Sequence, residues 1–203
     1  MIGQQKTDKK TMESQEKIVF GPYDRVVKWI LPIIPRKLKP NHLTFIRLIF
    51  SPIVLVLLIG DEDFIALILF VVLALTDILD GSLARLRNQI TDWGKIWDPI
   101  ADKLLIGIVV SVLLLQINLN LTILLLAFEL AFILGGTFQK LKERDVEIQA
   151  NIWGKVKMNL QCFGAGFLML GIIMAAPMFT YIAQILLYFS LLFAALSLVK
   201  RGI

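Results

Sequence analysis

Six apolar runs, each close to the length that crosses a bilayer, leave this chain few ways to fold. They extend roughly over Leu43–Gly60, Phe64–Leu83, Ile96–Ile117, Leu121–Phe138, Met158–Ala176 and Met178–Val199. A helix needs about 20 apolar residues to cross the hydrocarbon core. No water is present there to satisfy backbone N–H and C=O groups, so an isolated span of this kind must be helical. The composition, 57% hydrophobic over 203 residues, agrees. The reading is an all-α integral membrane protein with six transmembrane helices.

Charge sets the expected orientation. The links after the first, third and fifth runs are Asp61-Glu62-Asp63, Asn118-Leu119-Asn120 and the region of Pro177, and none carries Lys or Arg. All 21 basic residues fall in the N-terminal segment, at span ends on the same side, in the loops after the second and fourth runs, or at Lys200-Arg201. Lys and Arg collect in cytoplasmic loops, so both termini are expected in the cytoplasm, as in a bacterial-type inner or plasma membrane. The net charge of +5 reports this orientation rather than a nucleic-acid partner.

Residues 1–20 are polar, lack the apolar core of a secretory signal, and are expected to form a disordered cytoplasmic tail. Over residues 21–35, Val26, Val27, Ile30 and Leu31 share one helical face, with Arg25 and Lys28 off it and Trp29 suited to the interface. This predicts a short amphipathic helix lying on the cytoplasmic membrane surface. Pro32, Pro35 and Pro40 stop it before the first span. Residues 36–203 then form the six-span domain. Cys162, the one cysteine, lies in an apolar run and is expected to serve packing.

Against this background the carboxylates stand out. Asp77, Asp80, Gly81, Ala84 and Arg85 are followed by Gly94, Asp98 and Asp102, in the pattern D-x2-D-G-x2-A-R-x8-G-x3-D-x3-D. An ionised residue at the centre of a span costs about 2.5–3.5 kcal/mol on insertion scales, so four aspartates need a use. Asp77, Asp80, Gly81, Ala84 and Arg85 share one helix face, and Asp98 and Asp102 share a face of the next helix. A short basic loop joins the two helices, which predicts antiparallel packing and convergence of the four carboxylates near the cytoplasmic end.

Hard oxygen ligands favour Mg²⁺ or Mn²⁺ over zinc. Four carboxylates suit two ions, about 3.5–4 Å apart in such sites. Gly81 and Ala84 lack bulk and allow close approach of a ligand to the helix, and Arg85 has the fork geometry for a phosphate. Together these point to a polyphosphate substrate.

The segment from Asp77 to Asp102 resembles the signature of the CDP-alcohol phosphotransferase family, with all eight fixed positions filled. The six-span layout and basic loops are similar to that family over most of residues 36–201. The resemblance implies an enzyme of phospholipid biosynthesis that moves a phosphatidyl-type group from a CDP-linked lipid to a small polar alcohol, releasing CMP. It further implies a homodimer dependent on Mg²⁺ or Mn²⁺. Asp77, Asp80 and Asp98 would hold the metals. Asp102 would complete that shell and act as general base, and Gly81, Ala84, Arg85 and Gly94 would seat the CDP moiety.

The acceptor is less marked. Asp98-Pro99-Ile100-Ala101-Asp102-Lys103, Pro40-Asn41-His42-Leu43-Thr44-Phe45-Ile46-Arg47 and Trp153-Gly154-Lys155-Val156-Lys157 resemble the phosphatidylglycerophosphate synthase branch, whose acceptor is sn-glycerol 3-phosphate. Lys155 and Lys157, with Lys140, Lys142 and Arg144, form a basic cluster suited to an acceptor phosphate. Arg47 is placed either in the same pocket or snorkelling to lipid phosphates. Glu129, acidic in an apolar span, is placed either against the acceptor or against a lysine.

Phe128 and Met158 depart from the branch pattern, which keeps inositol phosphate, serine and phosphatidylglycerol open as acceptors. His42 reads as interfacial and Lys103 as an internal ion-pair partner near Asp102. Gly164, Gly166 and Gly171 read as a helix-packing face. Two rival classes are a cation or proton transporter using the aspartates as a relay, and a catalytically silent membrane partner.

Overall fold

The computed structural model describes residues 23–35, 37–141 and 152–201. The proposed tail over residues 1–20, together with Lys142 and Arg144 of the basic cluster, lies outside the described residues.

The described residues form seven helices: α1 (Asp24–Ile30), α2 (Pro40–Ile59), α3 (Asp63–Leu86), α4 (Asp92–Ile117), α5 (Leu119–Leu141), α6 (Ile152–Ile173) and α7 (Pro177–Arg201). Among the described residues five of these, α2, α3, α4, α6 and α7, are long and apolar enough to cross a membrane. The remaining long helix, α5, carries a shorter apolar stretch over Leu119–Phe132. The protein is an all-helical integral membrane protein.

Local chemistry fixes the helix ends. Pro40 opens α2, where its missing N–H and fixed φ are suited to the first turn. Asn88 leaves α3 with φ 53°, and Gln89 N–H reaches back to the Ala84 carbonyl at 2.8 Å. That left-handed exit lets the chain reverse and enter α4 within a few residues. Thr91 caps α4: its Oγ1 accepts the Gly94 N–H at 3.0 Å and donates to Asn41 Oδ1 at 2.9 Å, tying the start of α4 to the start of α2.

The two signature helices do not meet as the sequence suggested. α2 lies between α3 and α4 and packs more extensively against each than they do against one another. The core formed at this junction includes Val54, Phe70, Leu73, Leu105, Val109 and Leu168. α6 and α7 form a second close pair. A Cβ on Gly164 would lie 2.8 Å from Leu187 Cγ, and one on Gly171 would lie 2.5 Å from Thr180 Oγ1. Both glycines therefore serve helix packing, as expected from the sequence, whereas Gly166 meets only Phe70, at 4.0 Å.

α1 turns one side to the protein and one side away from it. Val26, Trp29 and Ile30 are exposed, while Val27 and Asp24 are buried against the rest of the protein. The roll of the helix is fixed by Asp24, which accepts two hydrogen bonds from Arg85 on α3.

A candidate active site gathered on Arg47

One face of the first long helix organises the site. Thr44, Arg47 and Ser51 fall at i, i+3 and i+7 on α2, and all are fully buried. Buried polar groups of this kind are tolerated only with partners. Arg47 Nη2 donates to Asp80 Oδ2 at 2.7 Å. Its Nη1 lies 2.9 Å from Asp77 Oδ1 and 3.1 Å from Asp102 Oδ1. Thr44 Oγ1 donates to Asp98 Oδ1 and lies 3.5 Å from Asp80 Oδ2.

Two side chains of α2 thus grip one oxygen of each of the four aspartates, two carried by α3 and two by α4. Exposure is graded across the cluster, from 2% at Asp80 through 16% at Asp102 to 45% at Asp77. The site opens on the Asp77 side.

Arg47 was offered by the sequence as an acceptor residue or a snorkelling one. The structure puts it at 0% exposure inside the cluster. A lone buried guanidinium would be strongly destabilised, and the carboxylates supply its counter-charge.

Among the described residues no three His, Cys, Asp or Glu side chains close directly on a common ion position. The donor set nevertheless fits hard divalent cations. It is all carboxylate, and the second oxygen of each aspartate lies outside the contacts made by Arg47 and Thr44.

The remaining signature residues lie nearby. Arg85 Nε and Nη2 donate to Asp24 Oδ2 and Oδ1 at 2.8 and 2.7 Å. The guanidinium expected to face a phosphate is therefore engaged by α1 through two of its nitrogens. Gly81 accommodates the third: a Cβ there would lie 3.4 Å from Arg85 Nη1. Gly94 is buried where a Cβ would meet Thr91 Oγ1 at 3.2 Å, Asp98 Oδ2 at 3.3 Å and Asn41 Oδ1 at 3.4 Å. A side chain at this position would push these oxygens, which come from two helices, back by a few tenths of an ångström. Arg87 donates to the carbonyls of Ile34, Pro35 and Leu38, pinning the segment before α2 to the end of α3.

A second polar cluster lies between α4, α5 and α6. Lys157, 5% exposed, pairs with Glu129 Oε1, to which Gln161 Nε2 also donates at 3.2 Å. The Lys157 ammonium sits 4.3 Å from the centre of the Phe132 ring. Lys103 Nζ is 3.9 Å from Glu129 Oε2. Lys103 is thus an ion-pair partner as expected, but of Glu129. Of the two placements open for Glu129, the structure shows the pairing with lysine.

Lys103, Gly107, Glu129, Lys157, Met158 and Gln161 line a small cavity of about 40 Å³ here. Lys155 is exposed and belongs to neither cluster. Sequence reasoning missed Thr44, Asp24 and Gln161. The i, i+3, i+7 polar stripe of α2 was the available signal for Thr44.

Residues 37–196 match the family model described as CDP-alcohol phosphatidyltransferase. The chain is 36% identical over 135 residues to the CDP-diacylglycerol–glycerol-3-phosphate 3-phosphatidyltransferase of Rickettsia felis, a match covering 65% of this chain and 75% of that protein. It is 38% identical over 120 residues to the protein of the same name from Aquifex aeolicus, covering 57% of this chain and 66% of the relative. The Bacillus subtilis protein of that name is 30% identical over 154 residues, covering 64% and 76%.

Proposed function

Since the chain belongs to the CDP-alcohol phosphatidyltransferase family, we propose that it transfers the phosphatidyl group of CDP-diacylglycerol to sn-glycerol 3-phosphate, with release of CMP. The observation that carries this reading is the gathering of all four signature aspartates on Arg47 and Thr44, beside Arg85 and the lysine-bearing cavity. The names of the relatives favour glycerol 3-phosphate over the other alcohols.

The family generally uses divalent metals. In this reading Asp77, Asp80, Asp98 and Asp102 would hold two ions, Mg²⁺ or Mn²⁺. Such ions would supply positive charge to neutralise the diphosphate and the charge that grows on departing CMP. The CDP moiety rests on the small-residue face of Gly81, Ala84 and Gly94. Arg85 Nη1, outside the pair with Asp24, faces its phosphates.

Asp102 accepts the proton of the acceptor hydroxyl. That oxygen bonds to the lipid-bearing phosphorus as the bond from this phosphorus to the bridging oxygen of the diphosphate breaks, and CMP leaves with that oxygen. Lys157 binds the acceptor phosphate, and Glu129 holds Lys157 in place. The lipid tails remain in the bilayer and the site faces the cytoplasmic leaflet, in keeping with the distribution of Lys and Arg. The α1 helix lies on that surface, and the working unit is a homodimer.

CMP release tests this. Protein purified in detergent, given CDP-diacylglycerol and Mg²⁺ with each alcohol in a separate reaction, is expected to release CMP with glycerol 3-phosphate and not when EDTA is added. Release only with inositol phosphate, serine or phosphatidylglycerol would refute the acceptor and point to Phe128 and Met158 as its determinants. No release with any of them would refute the activity.

A further inference from the structure

We infer that Arg47 is a positioning residue for the reaction: with Thr44 it holds one oxygen of each of the four aspartates, fixing the orientation of these carboxylates, and so sets the divalent-ion affinity of the site from a helix that carries none of the ligands. The inference rests on the reading above that these aspartates hold metal.

Three observations support it. First, the contacts reach all four carboxylates. Arg47 takes one oxygen from each of Asp77, Asp80 and Asp102, and Thr44 takes one from Asp98. A carboxylate held by one oxygen has its second oxygen directed, and partners that orient ligands in this way typically contribute about 10–100-fold to metal affinity.

Second, the guanidinium is not placed for its own satisfaction. Arg47 Nε and Nη1 are fully buried without a hydrogen bond of good geometry. Nη1 instead lies between Asp77 and Asp102 as an ion-pair partner to both. An arginine kept only to brace helices would satisfy these donors, because each orphaned one is costly.

Third, the charge is suited to the substrate. Four carboxylates and two divalent ions would cancel. Adding Arg47 leaves one net positive charge facing an anionic diphosphate.

The test is Mn²⁺ binding to the full chain in detergent, followed by electron paramagnetic resonance without substrate, alongside the melting temperature of the metal-free protein. Wild type, Arg47→Lys, Thr44→Val and Asp98→Asn are compared. Lysine keeps the charge but lacks the planar fork that sets Nη1 and Nη2 against carboxylates of two helices, so Arg47→Lys is expected to weaken Mn²⁺ binding by about tenfold or more. Thr44→Val, nearly isosteric, is expected to weaken it by about tenfold with little change in metal-free melting. Should Arg47→Lys fail to fold, Thr44→Val decides alone.

A purely structural role predicts lower melting temperatures with unchanged Mn²⁺ affinity in the folded variants, and that result overturns the inference. Tighter binding in Arg47→Lys also overturns it, since the guanidinium would then be occupying the ions' place. Wild type that binds no Mn²⁺ sinks the metal reading itself. Binding that is lost in Asp98→Asn but unaltered in the other two variants sinks only the role of Arg47 and Thr44.

Discussion

Replacing Gly164 and Gly107 by alanine makes the same chemical change in two helices with opposite expected results. At Gly164 the new methyl would sit 2.8 Å from Leu187 Cγ and 2.9 Å from Leu187 Cδ2. Carbon atoms pack best at about 3.5–4.0 Å, so α6 and α7 must separate or Leu187 must leave its rotamer. Leu187 is fully buried, which closes the second route. Overpacking of this kind costs about 1–3 kcal/mol. The better helix propensity of alanine returns about 0.8–1.0 kcal/mol, leaving a net loss of up to about 2 kcal/mol.

At Gly107 a Cβ meets nothing within 4 Å, so only the propensity gain remains. The two variants should therefore differ by about 2 kcal/mol, or about 4–8 °C in melting temperature for a chain of this size. Thermal unfolding of the full protein in one detergent, followed by circular dichroism, measures the gap. Gly164→Ala melting at or above Gly107→Ala would refute the close α6–α7 packing.

Other consequences concern the site and its margins. Asp98→Asn should reduce CMP release by at least about 100-fold while the protein stays folded and inserted, since an amide cannot replace a metal-binding charge; near-normal turnover would refute the ligand assignment. Lys157→Ala should raise the KM for glycerol 3-phosphate by about tenfold, the equivalent of one charge-assisted hydrogen bond, with little change for the CDP-lipid. An equal rise for both substrates would remove Lys157 from the acceptor site. Asp24→Asn breaks the charge pair with Arg85, and hydrogen exchange over Asp24–Ile30 should accelerate about tenfold while α2 is unaffected. Unchanged exchange would mean that α1 is held by Val27 rather than by the ion pair.

The long helices were legible because length and hydropathy leave a bilayer-spanning segment no alternative backbone. The carboxylate pairs were legible because a 3.6-residue period puts Asp77 with Asp80 and Asp98 with Asp102. The helix that brings the pairs together was not. Periodicity places residues on a face but does not identify the neighbour that the face meets, so nothing in the sequence put α2 between α3 and α4.

Arg47 was visible as a cation in an apolar helix, and both destinations given to it followed from the ordinary preference of arginine for water or an anionic ligand. That preference was overridden by four carboxylates found only in the folded arrangement. The pairing of Arg85 with Asp24 spans 61 positions, a contact no local pattern encodes.

The order of the helices bears on how such a protein is made. α2 is synthesised before α3 and α4, so the cation reaches the membrane ahead of its anions. Each aspartate arriving alone in hydrocarbon would cost about 2.5–3.5 kcal/mol. When Asp77 and Asp80 emerge, a guanidinium already waits in the preceding span, and the loop joining them, Gly60–Glu62, is short enough to keep the two together. Asp98 and Asp102 then join a group that is already partly neutralised. Placing Arg47 on the first long helix thus eases the insertion of the two aspartate-bearing spans that follow it.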